Sequence, residues 1–391
     1  MPGALDGIRV LELTSMITGP LATMILADQG ADVIKVEPPG AGDVMRYLGS
    51  QRGGMTALFA SCNRSKRSIV IDLKNPDGKE LIRELAKTAD VFLQNYRVGV
   101  IDRLGLGAET LCAENPELIY VSLNAFGEQG PFASRPAYDH ILQGMTGAAY
   151  VQAKETPEFM KQTWCDKSTA VTAAQAITAA LLARERGAGG QHLHLSMLDA
   201  GLSFLWPDGH ADTMLLEEDA VRLPPIADTY MPSPTADGYA TIAAITEQQW
   251  TNLLIAVGKE EMLADPRFAT TEARLENLNA FRDEISLSGA QYATQELIDR
   301  LGAVEVPCGP ILRPAEVPDE AQVIANETLV TSEHPMMGRI REPRPPARFD
   351  ATPAEIQRPA PSLGEHTGEV LESLGRSEAQ IAALRDSGAV A

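Results

Sequence analysis

Short apolar runs of β character alternate with helical runs through the first 125 residues, and that alternation limits the fold more than any other feature of the chain. Ile8-Arg9-Val10-Leu11-Glu12-Leu13 reads as a strand, and Gly19 to Asp28 as a helix. Asp32 to Val36 is a second strand. Ser68-Ile69-Val70-Ile71-Asp72-Leu73 is a third, followed by Asn75-Pro76-Asp77-Gly78. Asn75 suits an N-cap and Pro76 the first helical position, so a helix is expected from there to about Ala89. Asp90-Val91-Phe92-Leu93 and Leu118-Ile119-Tyr120-Val121-Ser122 are further strands. Strands that alternate with helices build a parallel sheet covered on both faces. Residues 137 to 205 continue the pattern. There Gln191-His192-Leu193-His194-Leu195-Ser196 alternates as a strand after the turn Gly187-Ala188-Gly189-Gly190.

Such a layer is Rossmann-like, yet the chain lacks the dinucleotide fingerprint. The first strand-to-helix turn, Thr14-Ser15-Met16-Ile17-Thr18-Gly19-Pro20, has no G-x-G-x-x-G to admit a pyrophosphate, and no Walker motif occurs. Gly40-Ala41-Gly42 is a short turn after the second strand. No tightly bound cofactor is expected.

With 391 residues the chain exceeds one ordinary domain. Its texture changes near Leu223. Tyr239 to Ile245 is strand-like, Glu247 to Val257 is helical, and shorter helical stretches continue to about Leu301. Residues 335 to 361 hold seven prolines, which fits an extended crossing segment. A helical tail runs from Thr367 to Arg385. The expected division is a large α/β part over 1–222, a small α+β domain over 223–330, and a Pro-rich crossing segment with a C-terminal helix over 331–391.

The formal net charge of -20 argues against nucleic acid or an anionic membrane as partner. No segment approaches the roughly 20 apolar residues that span a bilayer. The start of the chain does not read as a signal peptide. Cys62, Cys112, Cys165 and Cys308 are widely spaced with no C-x-x-C pair, as expected for reduced thiols in a cytoplasmic protein. Charge is unevenly spread, however. Residues 46 to 103 carry 11 Lys/Arg against 6 Asp/Glu. Such an island suits an anionic ligand, or else solvated helix faces.

Candidate chemistry centres on Asp166, in Trp164-Cys165-Asp166-Lys167-Ser168 ahead of an alanine-rich helical run from Thr169 to Arg186. A carboxylate there either caps a helix or serves as a nucleophile at a positive helix end. It can attack an activated acyl group to form a mixed anhydride. His192 and His194 share a strand face, but no third ligand stands at metal spacing, so no metal site is expected. His140, after Tyr138-Asp139, is a candidate acid/base partner for Asp166. No G-x-S-x-G elbow is present.

Several stretches, in order, resemble the class III coenzyme A transferases, the CaiB/BaiF group that includes formyl-CoA transferase and carnitine CoA-transferase. They are Leu5-Asp6-Gly7-Ile8-Arg9-Val10-Leu11-Glu12, Gly19-Pro20, Gly30-Ala31-Asp32-Val33-Ile34-Lys35-Val36-Glu37 and Gly42-Asp43. Next come Asn63-Arg64-Ser65-Lys66-Arg67-Ser68, Asp72-Leu73-Lys74, Asn95-Tyr96-Arg97 and Tyr138-Asp139. Asp166-Lys167, Ser196-Met197-Leu198-Asp199-Ala200 and Gly364-Glu365-His366-Thr367 complete the set. The resemblance implies a large α/β domain made from both chain ends, a smaller middle domain, and an interlocked homodimer. It implies that Asp166 is the catalytic aspartate, that coenzyme A enters as a thioester substrate, and that a carboxylic acid accepts it. By the same resemblance Ile17 and Thr18 line the thioester. Leu73, Lys74, Asn95, Tyr96, Arg97, Arg103 and Leu104 hold the nucleotide and phosphates, and Tyr138 and Met197 sit near the reacting end.

The chain also departs from formyl-CoA transferase. It has Pro38-Pro39 where a basic residue follows the second strand there, and Ile17 where a glutamine stands. Leu223-Pro224-Pro225-Ile226-Ala227-Asp228 replaces a glycine-rich covering loop. These differences favour an acyl group less polar or bulkier than oxalate. A 2-methylacyl-CoA racemase of the same superfamily is the alternative, but its motif has histidine where this chain has Tyr138, a poor base near neutral pH. A non-catalytic CoA-binding protein is the third reading.

Overall fold

The computed structural model describes all residues except Lys154, Leu223, Pro224, Ile226, Asp228, Thr229 and the side chain of Leu275. The chain forms two compact units, one from residues 1–209 and 327–391, the other from residues 210–326. The boundaries expected at 222/223 and 330/331 lie further along the chain in both cases.

In the larger unit, β1 (Arg9–Leu13), β2 (Asp32–Glu37), β3 (Lys66–Val70), β4 (Val91–Gln94), β5 (Ile119–Asn124) and β6 (Gln191–Ser196) form one sheet. Its order is β3-β2-β1-β4-β5-β6, with every pair parallel. Successive side chains leave a strand on opposite faces, and both faces of this sheet are buried, so its central strands read as short apolar runs. Val10, Val33, Val91, Val121 and Ile119 bury one face against α1 (Thr18–Asp28) and α4 (Trp164–Ala183). Leu11, Ile34, Phe92 and Tyr120 bury the other against α2 (Pro76–Lys87) and the C-terminal residues Val370, Leu371 and Ile381. Asn75 caps α2 as expected, its Oδ1 accepting from Asp77 N at 2.9 Å. Between α2 and α4 lies the short helix α3 (Asp139–Met145).

The chain ends close this unit. Val70 N donates to Thr367 Oγ1 at 3.2 Å, and Asp72 N to Ala389 O at 2.9 Å. The tail expected as one helix is two, Thr367–Ser373 and Glu378–Asp386, parted at Gly375 with φ 79. The proline-rich stretch begins inside a hairpin, Leu329–His334 paired with Gly338–Pro343, and is extended beyond it.

The smaller unit is α+β. Tyr239–Ile242 pairs antiparallel with both Ser233–Pro234 and Cys308–Pro310. Helices Glu247–Ala256, Leu278–Gly289 and Thr294–Gly302 pack Leu253, Phe281 and Leu297 around Ala240. The Leu223–Asp228 segment lies largely outside the described residues. No helix among the described residues is long and apolar enough to cross a membrane.

Candidate active site

In this strand order the chain leaves β1 towards β2 on one side, while β4 adds on the other. The carboxyl ends of β1 and β4 therefore flank the crevice where open α/β sheets bind ligands. The turn after β1 enters that crevice. Met16 holds φ 65, a left-handed conformation uncommon for a side chain of its size. Its N–H donates to Asp43 Oδ1 at 3.2 Å. Ser15 and Asn95 join the two strand ends reciprocally, Ser15 N to Asn95 Oδ1 at 3.1 Å and Asn95 Nδ2 to Ser15 O at 2.8 Å. Gly19 lets α1 start against the turn, because a Cβ there would lie 2.4 Å from the Thr14 side chain. Thr18, the first residue of α1, then points its hydroxyl at Asp166 and donates to Oδ1 at 2.5 Å.

Asp166 does not cap α4. The helix begins at Trp164, earlier than the sequence indicates, with Thr163 as N-cap and no side-chain capping bond. Asp166 is its third residue, and its free N–H donates to Asp139 Oδ2 at 3.0 Å. Asp139, at the start of α3, thus satisfies one of the helix's unpaired donors. Gln143 Nε2 fixes Asp139 through Oδ1 at 2.6 Å. Asp166 is only 9% exposed. Burial raises its pKa and the Asp139 charge adds to the rise, against the Thr18 hydrogen bond, leaving it at about 6. It is therefore mostly ionised at neutral pH, more basic than an ordinary aspartate, and close to the positive end of α4. Burial, with Asp139 and Asp166, pushes the neighbouring Cys165 thiol up to about 12, which leaves it a protonated packing group.

Beneath the turn lies a buried ionic network that the sequence reading did not assign. Glu12, Lys35 and Lys66 are each 0% exposed. Glu12 Oε1 meets Lys35 Nζ at 2.9 Å, and Oε2 meets Lys66 Nζ at 2.8 Å. Thr14 and Thr23 hydroxyls donate to the same carboxylate, each at 2.7 Å. Burial opposes the Glu12 charge, and the two ammoniums overcome it, holding the carboxyl down at about 2. Lys35 also reaches Thr14 O at 3.0 Å and Asp43 Oδ2 at 3.0 Å. Hydrogen bonds, with the Lys35–Asp43 ion pair as one link, thus run from the sheet through Asp43 to the Met16 amide.

The basic island is mostly committed to such internal pairs. Arg46 binds Glu37 at 2.7 Å and Arg64 binds Asp28 at 2.8 Å. Arg67 bridges Asp32 and Glu369, and Arg83 and Lys87 meet Glu114. Lys74, Arg97 and Arg103 are exposed and, among the described residues, have no ion-pair partner. Arg52 and Lys79 likewise have none among the described residues, and of these five the resemblance points to Lys74, Arg97 and Arg103 as the candidates for a phosphate.

The other expected residues divide into groups. Ile17 is buried at the N-cap of α1 beside Thr18, and Asn95 holds the same turn. Leu73, Tyr96 and Leu104 pack on one face of the sheet core. Tyr96 and Arg97 also line a cavity of about 190 Å³ beyond β4 and β5. Met197 packs with Trp164 and Cys165, next to the nucleophile candidate. Tyr138 is 62% exposed. His140 is exposed against the Phe159 ring, and it is Asp139 that meets Asp166. The third ligand that no nearby stretch of sequence offers His192 and His194 is Glu128, 66 residues before His194 and 2.9 Å from it.

The profile described as CoA-transferase family III matches residues 5–367. The chain is 36% identical over 382 residues to the succinate–glutarate CoA-transferase of Agrobacterium fabrum, covering 95% of each. It is 33% identical to the succinyl-CoA–D-citramalate CoA-transferase of Chloroflexus aurantiacus, covering 98% of this chain and 97% of that one. A crystal structure of a CaiB/BaiF family protein from Brucella suis superposes with a TM-score of 0.84 at 32% identity, covering 96% of this chain and all of the other.

Proposed function

The chain belongs to CoA-transferase family III and is a CoA-transferase, and from that premise we propose that Asp166 is the nucleophile through which CoA passes from an acyl-CoA thioester to a carboxylic acid. The observation that carries the reading is a carboxylate raised to about 6, bound by Thr18 at 2.5 Å in the crevice where β1 and β4 end.

In the first step an Asp166 oxygen attacks the thioester carbonyl and the CoA thiolate leaves, giving an aspartyl–acyl anhydride. The thiolate then attacks the aspartyl carbonyl and releases the donor carboxylate, giving an aspartyl-CoA thioester. The acceptor carboxylate attacks that thioester and frees the thiolate again. The thiolate finally takes the acceptor's carbonyl and restores Asp166. One thioester is exchanged for another, so no external energy source is needed. Amides at the start of α4 and the Thr18 hydroxyl are the local donors for developing oxyanions. Lys74, Arg97 and Arg103 hold phosphate oxygens, and Leu73, Asn95, Tyr96 and Leu104 the nucleotide. Ile17, Tyr138 and Met197 shape the acyl end. With a buried isoleucine in the turn, the acceptors are dicarboxylates longer than oxalate, in line with the succinate, glutarate and citramalate named for the relatives. An apolar groove along α1 and α4, with Val171 59% and Leu182 51% exposed, supports a second copy as partner.

Hydroxylamine added during turnover tests the covalent route. The expected result is loss of activity with a hydroxamate at Asp166, found by peptide mass spectrometry, and an inactive Asp166→Ala protein that still binds CoA. Full turnover by Asp166→Ala overturns the assignment.

A further inference from the structure

His192 and His194 stand two residues apart on β6, at the edge of the sheet, so both side chains leave on one face. Their ring centroids are 3.7 Å apart. The loop after β5 brings Glu128 over them, with Oε1 2.9 Å from His194 Nδ1. One ligand atom from each of the three residues lies within 4.8 Å of the other two. An ion holding nitrogen and oxygen ligands tetrahedrally at roughly 2.1 Å separates those atoms by about 3.4 Å. The three ligand atoms are therefore already gathered to within about an ångström or two of that spacing.

We propose that Glu128, His192 and His194 form a binding site for a borderline divalent cation of the zinc type. Two imidazoles and one carboxylate are the donor set such ions prefer, whereas magnesium and calcium select oxygen alone. The outer partners are also in place. Ser122 Oγ lies 2.8 Å from His192 Nε2, and Gln94 Nε2 donates to the same hydroxyl at 3.0 Å. Bonds of this kind fix the ring of a ligating histidine. The Glu128 and His194 side chains are 41% and 51% exposed, which leaves the remaining coordination position to water or to an added ligand. An exposed histidine–carboxylate pair by itself is worth only about 0–1 kcal/mol, whereas here the second imidazole is held beside the pair by Ser122 and by the edge of the Tyr120 ring. The site shares neither residue nor hydrogen bond with Asp166, but Glu128 and His192 line the same cavity as Tyr96 and Arg97, so the test reads metal binding itself rather than transfer.

The test uses the untagged full-length chain, stripped with chelator and titrated with Co²⁺ and Zn²⁺. Calorimetry should give one ion per chain, and Co²⁺ should develop the visible bands of a tetrahedral or five-coordinate nitrogen–oxygen site. Glu128→Gln and His194→Asn, both at exposed positions, should each weaken binding roughly 10-fold or more, since losing even an outer partner costs about that much. His192→Asn combined with His194→Asn should abolish it, with unchanged circular dichroism. His140→Asn, outside the cluster, should leave it intact. Absence of stoichiometric binding to the parent chain, or binding that survives the double substitution, overturns the proposal.

Discussion

Replacing Asp166 by Asn distinguishes a carboxylate that stabilises a helix end from one kept charged at a cost for chemistry. Burial, aided by the Asp139 charge and opposed by Thr18, raises this group from 3.8 to about 6. Between those two values the folded chain binds the proton more tightly than the unfolded chain. Stability attributable to this residue therefore falls as pH rises from about 4 to about 6, and the full loss is present above that window. The difference corresponds to about 3 kcal/mol at roughly 1.4 kcal/mol per pH unit. Asparagine keeps the shape, can still accept from Thr18, and carries no charge. Asp166→Asn should thus be more stable than the parent by up to about 3 kcal/mol near pH 8, with the advantage gone below about pH 4. A capping carboxylate predicts no such gain, because asparagine caps a helix about as well as aspartate. Urea midpoints of both proteins, measured without CoA across that pH range, decide between them. A variant no more stable than the parent near pH 8 refutes the reasoning. The same variant should lose transfer activity by roughly 10³-fold or more.

Thr18→Val removes the hydrogen bond that, among the described residues, lowers the Asp166 pKa, so the acid limb of kcat/KM, expected near 6, should move upward. A bond to a charged group is worth about 1.5–3 kcal/mol, or roughly 1–2 pH units, and an unmoved limb counts against Asp166 as the titrating nucleophile. Alanine at Lys74, Arg97 or Arg103 should raise KM for acyl-CoA about tenfold with kcat nearly unchanged, since a phosphate contact away from the reacting atoms binds ground and transition states alike. Equal losses in kcat and kcat/KM would place the residue at the reaction instead. Glu12→Gln leaves two buried ammoniums without their shared carboxylate, so urea denaturation should show a loss of about 3–5 kcal/mol.

How much of this could be read in the sequence depends on the range of the interaction. Short apolar runs set between helical ones and the Asn75-Pro76 start of α2 are local signals, and the parallel sheet follows from them. The start of α4 is not local. Thr163 supplies no capping bond, and the donor at Asp166 is satisfied by Asp139, 27 residues earlier, so the window around Trp164 resembles a loop. His194 had no visible acidic partner for the same reason, because Glu128 arrives from 66 residues away. The basic island misleads differently. Composition counts charges but not their partners, and the carboxylates that consume Arg46, Arg64, Lys66 and Arg67 lie on β1, β2 and α1 or in the C-terminal helix.

A sharper signal was nevertheless present in those strands. Lys35 and Glu37 stand in Val33-Ile34-Lys35-Val36-Glu37, and Glu12 in Val10-Leu11-Glu12-Leu13, with apolar neighbours on both sides. In a parallel sheet covered on both faces, a charge in such a run has no route to solvent and must meet an opposite charge inside. All three lie towards the carboxyl ends of their strands, where the crevice opens. Two carboxylates and one ammonium at the same end of adjacent strands therefore predict a buried network under the first turn. Asp43, which joins that network to the Met16 amide two residues before Thr18, is the step that only the folded structure supplies.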